Sequence, residues 1–570
     1  MNNMKNPFEF EAATKLSAQD ILDYYCEDYN YSRFVRSTRN VFLVGERGVG
    51  KTMALKYYSL PVAFKKAEDS LDFSVVCIYI TCQTPLNYRS EDEILNVSRS
   101  LLFSEHQLVI QILSSIVDEF TGIQGQLVEY DIALLRTRIE YALGVEIPNF
   151  KKGLWFDLKA LFQKMSRDVE RCINSIDDTA FVDNALSFGN GVVPFLETIK
   201  LIPELKDTHF SLMIDDAQML REQQVLILNS WISYRDNTLF SFKVATTHVE
   251  QPTKRTLSGG GILEGHDYVK IDMERPHQNK NSNFGKLARD IILKRLDRVN
   301  LKEVTPEQFF PEHESVLKAL AESKVKVRSE YLKKNPQASS KNINDHVYKY
   351  ARVALFRNRG GTANLPLYSG FETLTHLSTG VIRYLLEPCH AMFDEALSES
   401  DNQMIKSINP TIQAKVIKDL SAKRWTWMNE ELAQAVACDI GDQKRICNLF
   451  DQLALYFLDR LKNHKSEPRA TMFFISARKG EDCSELDRIL RLSQKAQILY
   501  KYSGSAKERG EKTTYYVPNR ILWPIRGLDV YEQHAKVSIQ ANYLIGAMME
   551  GNKIPWAKDV NSNEKDLFDE

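Results

Sequence analysis

Residues 41–56 read VFLVGERGVGKTMALK. Four apolar residues precede the pattern Gly-x-x-x-x-Gly-Lys-Thr, and a segment compatible with a helix follows it. Strand, glycine-rich loop and helix, in that order, are what a phosphate-binding loop requires. The glycines let successive N–H groups turn towards a phosphate, and the start of the helix adds its positive dipole end there. The stretch therefore predicts a site for a nucleoside triphosphate.

Each residue of the loop has an expected task. We expect Lys51 to bind the β- and γ-phosphates of ATP and the hydroxyl of Thr52 to bind Mg²⁺. The other residues expected to contact ATP are Gly45, Glu46, Arg47, Gly48, Val49, Gly50 and Met53. An ordinary tight turn is the alternative, and the completeness of the pattern behind an apolar strand argues against it.

Length and composition indicate a soluble, multidomain protein. A chain of 570 residues is too long for one core, and its 43% hydrophobic and 26% charged residues are ordinary for a globular protein. The formal net charge of −1 gives no overall attraction to nucleic acid or membrane. We see no signal peptide, membrane-spanning run or Cys-x-x-Cys pair in the sequence, and therefore expect a cytoplasmic protein without a membrane partner.

The acidic half of the predicted site follows a later strand. Residues 73–80 read as a second buried strand, and residues 85–205 as a helical insertion with apolar residues at helical spacing. The next apolar strand ends in Asp215 and Asp216. We expect Asp215 to hold Mg²⁺ opposite Thr52 and Asp216 to orient the attacking water. Because Asp216 is one methylene shorter than a Glu, hydrolysis is expected to be slow.

Three further positions are candidates for contacts with the γ-phosphate. Residues 240–247 read as a strand ending in Thr246 and Thr247, which suit a phosphate sensor or, alternatively, a satisfied strand end. Arg255 precedes three consecutive glycines, which predict a mobile loop; it is a candidate finger residue or a solvated arginine. Arg383 begins a predicted helix after Gly380, from which a guanidinium can reach a phosphate.

The C-terminal part is predicted to form a winged helix. A helix at 449–461, two short helices within 481–497 and a hairpin from 498–502 and 512–517 support this prediction. Residues 465–520 contain 12 basic and 7 acidic residues, an excess in an otherwise neutral chain. The candidate DNA contacts are Arg488, Arg491 and Lys495 on the recognition helix and Lys507, Arg509 and Lys512 in the wing.

The predicted domain organisation follows from these patterns. Its segments are a lead segment (1–40), a nucleotide-binding core (41–275), a helical lid (276–400), a linker (401–440), the winged helix (441–535) and a C-terminal tail (536–570).

In this order of motifs the chain resembles the AAA+ ATPases, and within them the initiator group that includes the bacterial origin-recognition-like ATPases. The resemblance implies an α/β fold with a parallel sheet, a helical insertion and lid, and a winged helix. It also implies roles for the residues quoted above: Lys51 and Thr52 as Walker A, Asp215 and Asp216 as Walker B, Thr246 or Thr247 as sensor 1, Arg383 as sensor 2 and Arg255 as an arginine finger.

Two departures from this group disfavour a role in replication. The insertion is larger than in replication initiators, and Thr stands at sensor 1 where Asn is frequent. The first hypothesis is an ATP-driven switch that binds duplex DNA and forms a homo-oligomer or recruits an effector protein, as in antiphage defence. A STAND-like signalling scaffold that does not bind DNA, and a replication initiator or helicase loader, are the alternatives.

Overall fold

The chain forms two compact units. The computed structural model describes residues 6–9, 12–27, 31–67, 71–82, 97–123, 127, 130–174, 185–234, 238–249, 253–274, 283–357, 367–399, 404–463, 468–476, 481–505, 512–531 and 535–555. The first unit is Glu11–Glu274, and the second combines Met1–Phe10 with Arg275–Glu570. The lead segment expected at 1–40 is thus divided between them, because Phe8 packs on Phe309 and Phe310, with ring centroids 5.7 and 5.6 Å away.

A parallel five-stranded sheet organises the first unit. Its strands are β1 (Val41–Val44), β2 (Val75–Thr81), β3 (His209–Asp215), β4 (Phe240–Thr246) and β5 (Val269–Asp272). They lie in the order β2-β3-β4-β1-β5, which places the phosphate-loop strand between β4 and β5. β1, β3 and β4 are buried along their whole length, as expected for apolar strands with both faces covered. The predicted α/β fold with a parallel sheet is confirmed.

Helices cover this sheet and fill the predicted insertion. They are α1 (Ala18–Tyr24), α2 (Ser32–Val35), α3 (Lys51–Tyr58), α4 (Leu60–Lys66), α5 (Val97–Thr121), α6 (Ile132–Leu143), α7 (Leu154–Asn174), α8 (Val193–Ile199) and α9 (Glu222–Ile232). Phe120 of α5 stacks on Trp155 of α7 with ring centroids 5.0 Å apart, within one hydrophobic core shared with the sheet. By length and composition Ser100–Thr121 is apolar enough to cross a membrane, but 61% of its most apolar window is buried in the protein.

The second unit is mainly helical. Its helices are α10 (Asn283–Asp297), α11 (Pro306–Phe309), α12 (Glu314–Lys334), α13 (Ser340–Arg357), α14 (Phe371–Leu377), α15 (Ile382–Glu399), α16 (Pro410–Glu430), α17 (Leu432–Val436), α18 (Ile440–Asn463), α19 (Ser484–Lys495) and α20 (Ala541–Glu550). Its strands are β6 (Met472–Ser476), β7 (Leu499–Ser505), β8 (Lys512–Pro518) and β9 (Lys536–Gln540), in the order β7-β8-β6-β9.

Two expectations for the second unit need correction, and a third is made more specific. Residues 481–497 contain one helix, α19, rather than two, because the apolar residues between 486 and 490 continue a single buried face. The segment expected as a tail from 536 begins with β9, which pairs in parallel with β6, and continues into α20. The segment at 401–440, which reads as a linker plus a connecting helix, contains α16, whose apolar side chains are buried, and α17.

Candidate functional site

The loop after β1 presents unpaired N–H groups. Gly48 and Gly50 have φ angles of 93° and 100°, a left-handed conformation that glycine adopts without strain. Because of this turn, the N–H groups of Gly48, Gly50, Lys51 and Thr52 have no hydrogen-bond acceptor among the described residues. α3 begins at Lys51, so its positive dipole end lies at the same place. Loop and helix together form a cradle suited to phosphate.

Lys51 is buried at the centre of this cradle, with a 6% exposed fraction. Its Nζ donates hydrogen bonds to the carbonyl oxygens of Gly45 and Glu46. Burial lowers the pKa of the amine, and the negative charges of Glu46 and Asp215 partly offset that effect. A phosphate beside this amine would stabilise its charged form, because an opposite charge compensates for lost hydration.

Asp215 lies across the site at the carboxyl end of β3, fully buried. Its carboxylate accepts hydrogen bonds from the Tyr79 hydroxyl at 2.8 Å and from the N–H of Asp216 at 3.0 Å. Burial and the neighbouring Asp216 raise the pKa of Asp215, while hydrogen bonds from Thr52 and Tyr79 lower it. The Thr52 hydroxyl thus lies near enough to favour the ionised carboxylate, which brings the two expected metal ligands together.

The donors at this point fit Mg²⁺. Mg²⁺ prefers hard oxygen ligands and usually takes one or two from the protein, with water and phosphate supplying the rest. The hydroxyl of Thr52 and the carboxylate of Asp215 provide such a pair, already in contact with each other. Among the described residues no group of three or more His, Cys, Asp or Glu side chains could hold a metal ion, so water and phosphate oxygens would supply the remaining ligands here.

Asp216 turns away from the strand direction. It adopts a left-handed conformation with φ of 53°, which is uncommon for a residue with a side chain. Its Oδ1 accepts a hydrogen bond of 2.8 Å from the side-chain amide of Gln218, and the residue is half-buried. The second carboxylate of the pair therefore faces a different environment from the first, as two separate roles require.

Sequence reasoning missed an acidic cluster beside the loop. Glu274 accepts a hydrogen bond of 2.9 Å from the N–H of Glu46, and Glu46 accepts from the N–H groups of His248 and Val249. Burial raises the pKa of Glu46, and it raises that of Glu274 to about 7. His248 also contacts Asp272 at 3.1 Å. Ligand sites in parallel sheets lie at the carboxyl ends of the strands, and the position of Glu274 just after β5 was the available signal.

The two threonines at the end of β4 differ in their hydrogen bonding. Both are buried, and Gly45 donates its N–H to the backbone carbonyl of Thr246 at 3.2 Å, so the strand end lies directly against the phosphate loop. The Thr246 hydroxyl has no hydrogen-bond partner in the described part of the chain. Thr247, the other candidate sensor residue, directly follows the strand and also has a partner within the protein.

Arg255 lies at the base of the glycine-containing loop, which backbone hydrogen bonds close. The N–H of Thr256 donates to Gly260 and that of Ile262 to Lys254, each at 2.9 Å. These bonds close the loop because its glycines allow the tight return of the backbone. The side chain of Arg255 is exposed.

Arg383 belongs to the second unit. It is the second residue of α15, so the helix start expected from Gly-x-x-Arg is present. Its side chain is exposed. Its role towards a phosphate remains a prediction.

Of the candidate DNA-contacting residues, two are exposed on α19, one is bound in ion pairs, and three have side chains outside the described part of the chain. Arg488 is bound by carboxylates of its own unit, donating to Asp442 and to Glu485, the latter at 2.8 Å. These bonds hold α19 against α18. Arg491 and Lys495 are exposed on α19. Lys507, Arg509 and the side chain of Lys512 lie outside the described residues.

The chain was compared with protein families and known proteins. A model of the family described as ORC-CDC6-like matches residues 6–338 and 307–539. A search of curated proteins found no match. Among solved structures, the Aeropyrum pernix ORC1 protein in complex with DNA is 11% identical, with 90% of this chain and 92% of that chain covered and a TM-score of 0.29. CDC6P from Pyrobaculum aerophilum is 12% identical, with 91% of this chain and 94% of that chain covered and a TM-score of 0.28.

The two structural likenesses are too distant to carry an argument. The family match, by contrast, spans most of the chain and includes the phosphate loop, the Asp215–Asp216 strand end and the β7–β8 hairpin. The chain therefore belongs to the ORC-CDC6-like family, which consists of AAA+ ATPases of the origin-recognition type.

Proposed function

We propose that this protein is an ATP-binding and ATP-hydrolysing switch of the origin-recognition type that acts on duplex DNA. The observation that carries the proposal is the convergence of Lys51, Thr52 and Asp215 at the carboxyl edge of a parallel sheet. A buried amine, unpaired N–H groups and a hydroxyl–carboxylate pair together match the charges of a magnesium-bound triphosphate.

Each residue of the site then has a defined task. Lys51 and the loop N–H groups bind the phosphate oxygens, and Thr52 and Asp215 hold the metal ion, which when bound neutralises phosphate charge. Asp216 accepts a hydrogen bond from the attacking water and orients it. Thr247, Arg383 and Arg255 are proposed to contact the γ-phosphate, the last of them from a neighbouring copy in an oligomer.

The DNA-binding part of the proposal concerns the C-terminal sheet. β6 precedes α19, and β7 and β8 form an antiparallel hairpin after it, with β8 lying between β7 and β6. A helix followed by a hairpin that joins an earlier strand is the arrangement of a winged helix, in which the helix enters the major groove. The exposed Arg491 and Lys495 on α19 supply positive charge for phosphates.

The biological setting is a further part of the proposal. A switch of this kind, located in the cytoplasm, would assemble into a homo-oligomer or recruit an effector protein, and bacterial antiphage defence is the setting we propose. One observation favours an alternative, a STAND-like scaffold whose ATP site works without DNA. The ion pairs of Arg488 bind this basic residue of the candidate recognition helix to its own unit.

Titration of a labelled duplex separates the two functions. We expect the wild-type chain to bind more tightly with ATP than with ADP, and R491E/K495E to weaken binding and lower the log–log salt slope by about two units. K406E/K423E, an equal charge change at exposed lysines of the same unit, is the control. Equal, weak binding by all three proteins, with ATP binding intact, would establish the scaffold instead.

A further inference from the structure

A long helical hairpin in the second unit carries charge that the proposed function does not use. α12 and α13 run side by side and are joined by residues 335–339. Tyr331 stacks on His346 with ring centroids 4.1 Å apart, and His346 lies 4.4 Å from Tyr350. Together with the buried Val327 and Ile343 these rings fix the two helices to each other.

The outer part of this hairpin is exposed on most sides. From Lys318 to its end at Lys334, α12 buries only Ser323 and Val327, whereas α13 buries side chains mainly from Ala351 onwards. With a rise of 1.5 Å per residue, the exposed part of α12 extends for about 24 Å. The hairpin therefore forms an arm whose base, rather than its tip, packs on the unit.

This arm is strongly basic. Residues 318–349 contain 8 basic and 3 acidic residues in a chain with a net charge of −1. The basic residues are all exposed: Lys318, Lys324, Lys326, Arg328, Lys333, Lys334, Lys341 and Lys349. Apart from Lys349, none of them forms an ion pair with a described residue, in contrast to Arg488.

Helix stabilisation explains only part of the positive charge at the tip. Lys333 and Lys334 lie in the last turn of α12, where a cation favours the helix dipole. Lys341, however, lies in the first turn of α13, where a cation is unfavourable and no acidic residue is present. Burial and the charges of Lys349 and Lys334 also lower the pKa of His346. The tip thus concentrates positive charge that no ion pair with a described residue offsets.

The composition of the tip favours nucleic acid over a protein partner. Between Lys333 and Lys341 the side chains are those of Lys, Asn, Gln and Ser, with one Pro and one Ala. Such polar donors make most contacts to DNA phosphates. The centre of a protein interface instead contains aromatic and large apolar residues and few lysines. Residues 333–341 contain three lysines and no aromatic or large apolar residue.

We propose that the basic hairpin, residues 318–349, is a second DNA-binding element that binds the phosphate backbone of duplex DNA independently of base sequence. It rests on the proposed function in so far as both require DNA, but it uses a different surface from α19. Lys333, Lys334 and Lys341 at the tip contact phosphates, and Lys324 and Arg328 extend the contact along α12.

The full-length chain with ATP tests this assignment. K333E/K334E/K341E should weaken binding of a labelled duplex by on the order of 100-fold at 0.1 M salt and lower the salt slope by about 2.7 units, since each lost phosphate contact accounts for about 0.9. The loss should be the same for duplexes of unrelated sequence. The control, K164E/K206E/K406E, makes the same charge change at exposed lysines outside the hairpin and should leave the slope unchanged.

The outcomes distinguish the hairpin from the winged helix. Loss of affinity in the tip variant, in addition to the loss in R491E/K495E, supports the hairpin as a separate contact. A tip variant that binds like its control, while R491E/K495E loses affinity, overturns the hairpin and leaves the proposed function standing. Polyglutamate is the competitor: if the wild type binds it more tightly than the duplex at equal charge concentration, and the tip variant loses that preference, the surface is one for an acidic protein.

Discussion

The amine of Lys51 is held inside the protein by two loop carbonyls and by nearby carboxylates that include Glu46 and Asp215. A buried charge of this kind is costly unless it is paired, and a bound triphosphate would pair with it. Because the hydrogen bonds of the amine go only to two loop carbonyls, we expect the protein to need Lys51 for binding more than for folding.

We expect Lys51→Ala to abolish ATP binding, raising Kd at least about 100-fold, as expected when a buried charge partner of phosphate is removed. Titration with a fluorescent ATP analogue measures the loss, and circular dichroism checks that the fold is kept. Lys65→Ala, an exposed lysine of the same unit, is the control. Ordinary ATP affinity in a folded Lys51→Ala protein would contradict the site.

Asp216→Asn should separate binding from hydrolysis. Asp215 keeps its hydrogen bonds to Thr52 and Tyr79 in this variant, so the metal site stays intact while the residue that orients water loses its charge. We expect ATP binding near the wild-type level and a hydrolysis rate roughly 100-fold lower. A phosphate-release assay beside the binding titration decides: hydrolysis at the wild-type rate, or no binding, would show that the two carboxylates have other roles.

The insertion is fastened to the nucleotide-binding sheet by a buried carboxylate. Glu119, on α5, accepts hydrogen bonds from the N–H of Leu60 at 2.8 Å and from the N–H of Tyr79 at 3.2 Å. It thus links α5 to the start of α4 and to the strand that carries the Tyr79 hydroxyl to Asp215. Burial raises the pKa of Glu119 to about 8.

The raised pKa of Glu119 makes the stability of the folded protein depend on pH. Between the unfolded pKa of about 4.3 and the folded value, the folded protein binds a proton that the unfolded chain does not, so stability falls as pH rises through that window. We expect the free energy of unfolding of wild type to fall more than that of Glu119→Gln between pH 5 and 8, by on the order of 1–4 kcal/mol. Urea unfolding at each pH measures the difference.

The control for this prediction is Asp168→Asn, a change at an exposed carboxylate of α7 that pairs with Arg171. It should keep the wild-type pH dependence. Equal slopes for wild type and Glu119→Gln would mean that the Glu119 carboxyl is already ionised in the folded protein at neutral pH.

Assembly of several copies is tested by mixing two inactive variants. If Arg255 acts on the ATP of a neighbouring copy, Lys51→Ala lacks the ATP site but keeps the finger, and Arg255→Ala has the reverse defect. An arginine finger contributes about 10³–10⁵-fold to hydrolysis, so each variant alone should be nearly inactive, and the mixture should recover part of the wild-type rate. A mixture of Lys51→Ala with Asp216→Asn should not recover, since no copy then combines ATP binding with the water-orienting carboxylate. Activity no higher than the sum of the separate variants would exclude the finger role.

Local patterns in the sequence were sufficient for much of the fold. The phosphate loop at residues 45–52 could be predicted because its strand, glycines and helix start are neighbours in the chain. The carboxylates after β3 and the hairpin of β7 and β8 could be predicted for the same reason. Parallel pairing then follows from the chemistry: apolar strands that alternate with helices bury both faces and bring their carboxyl ends to one edge.

Contacts between distant segments were decided only by the tertiary structure. Tyr79 reaches Asp215 across 136 residues of chain, and Arg488 reaches Asp442 across 46, so neither pair leaves a local signal. The pairing of β9 with β6 is equally distant. The sequence by itself determined which residues can bind a triphosphate. The path of the chain decided which carboxylates surround Lys51 and which basic residues remain exposed, because burial and charge pairing depend on neighbours in space.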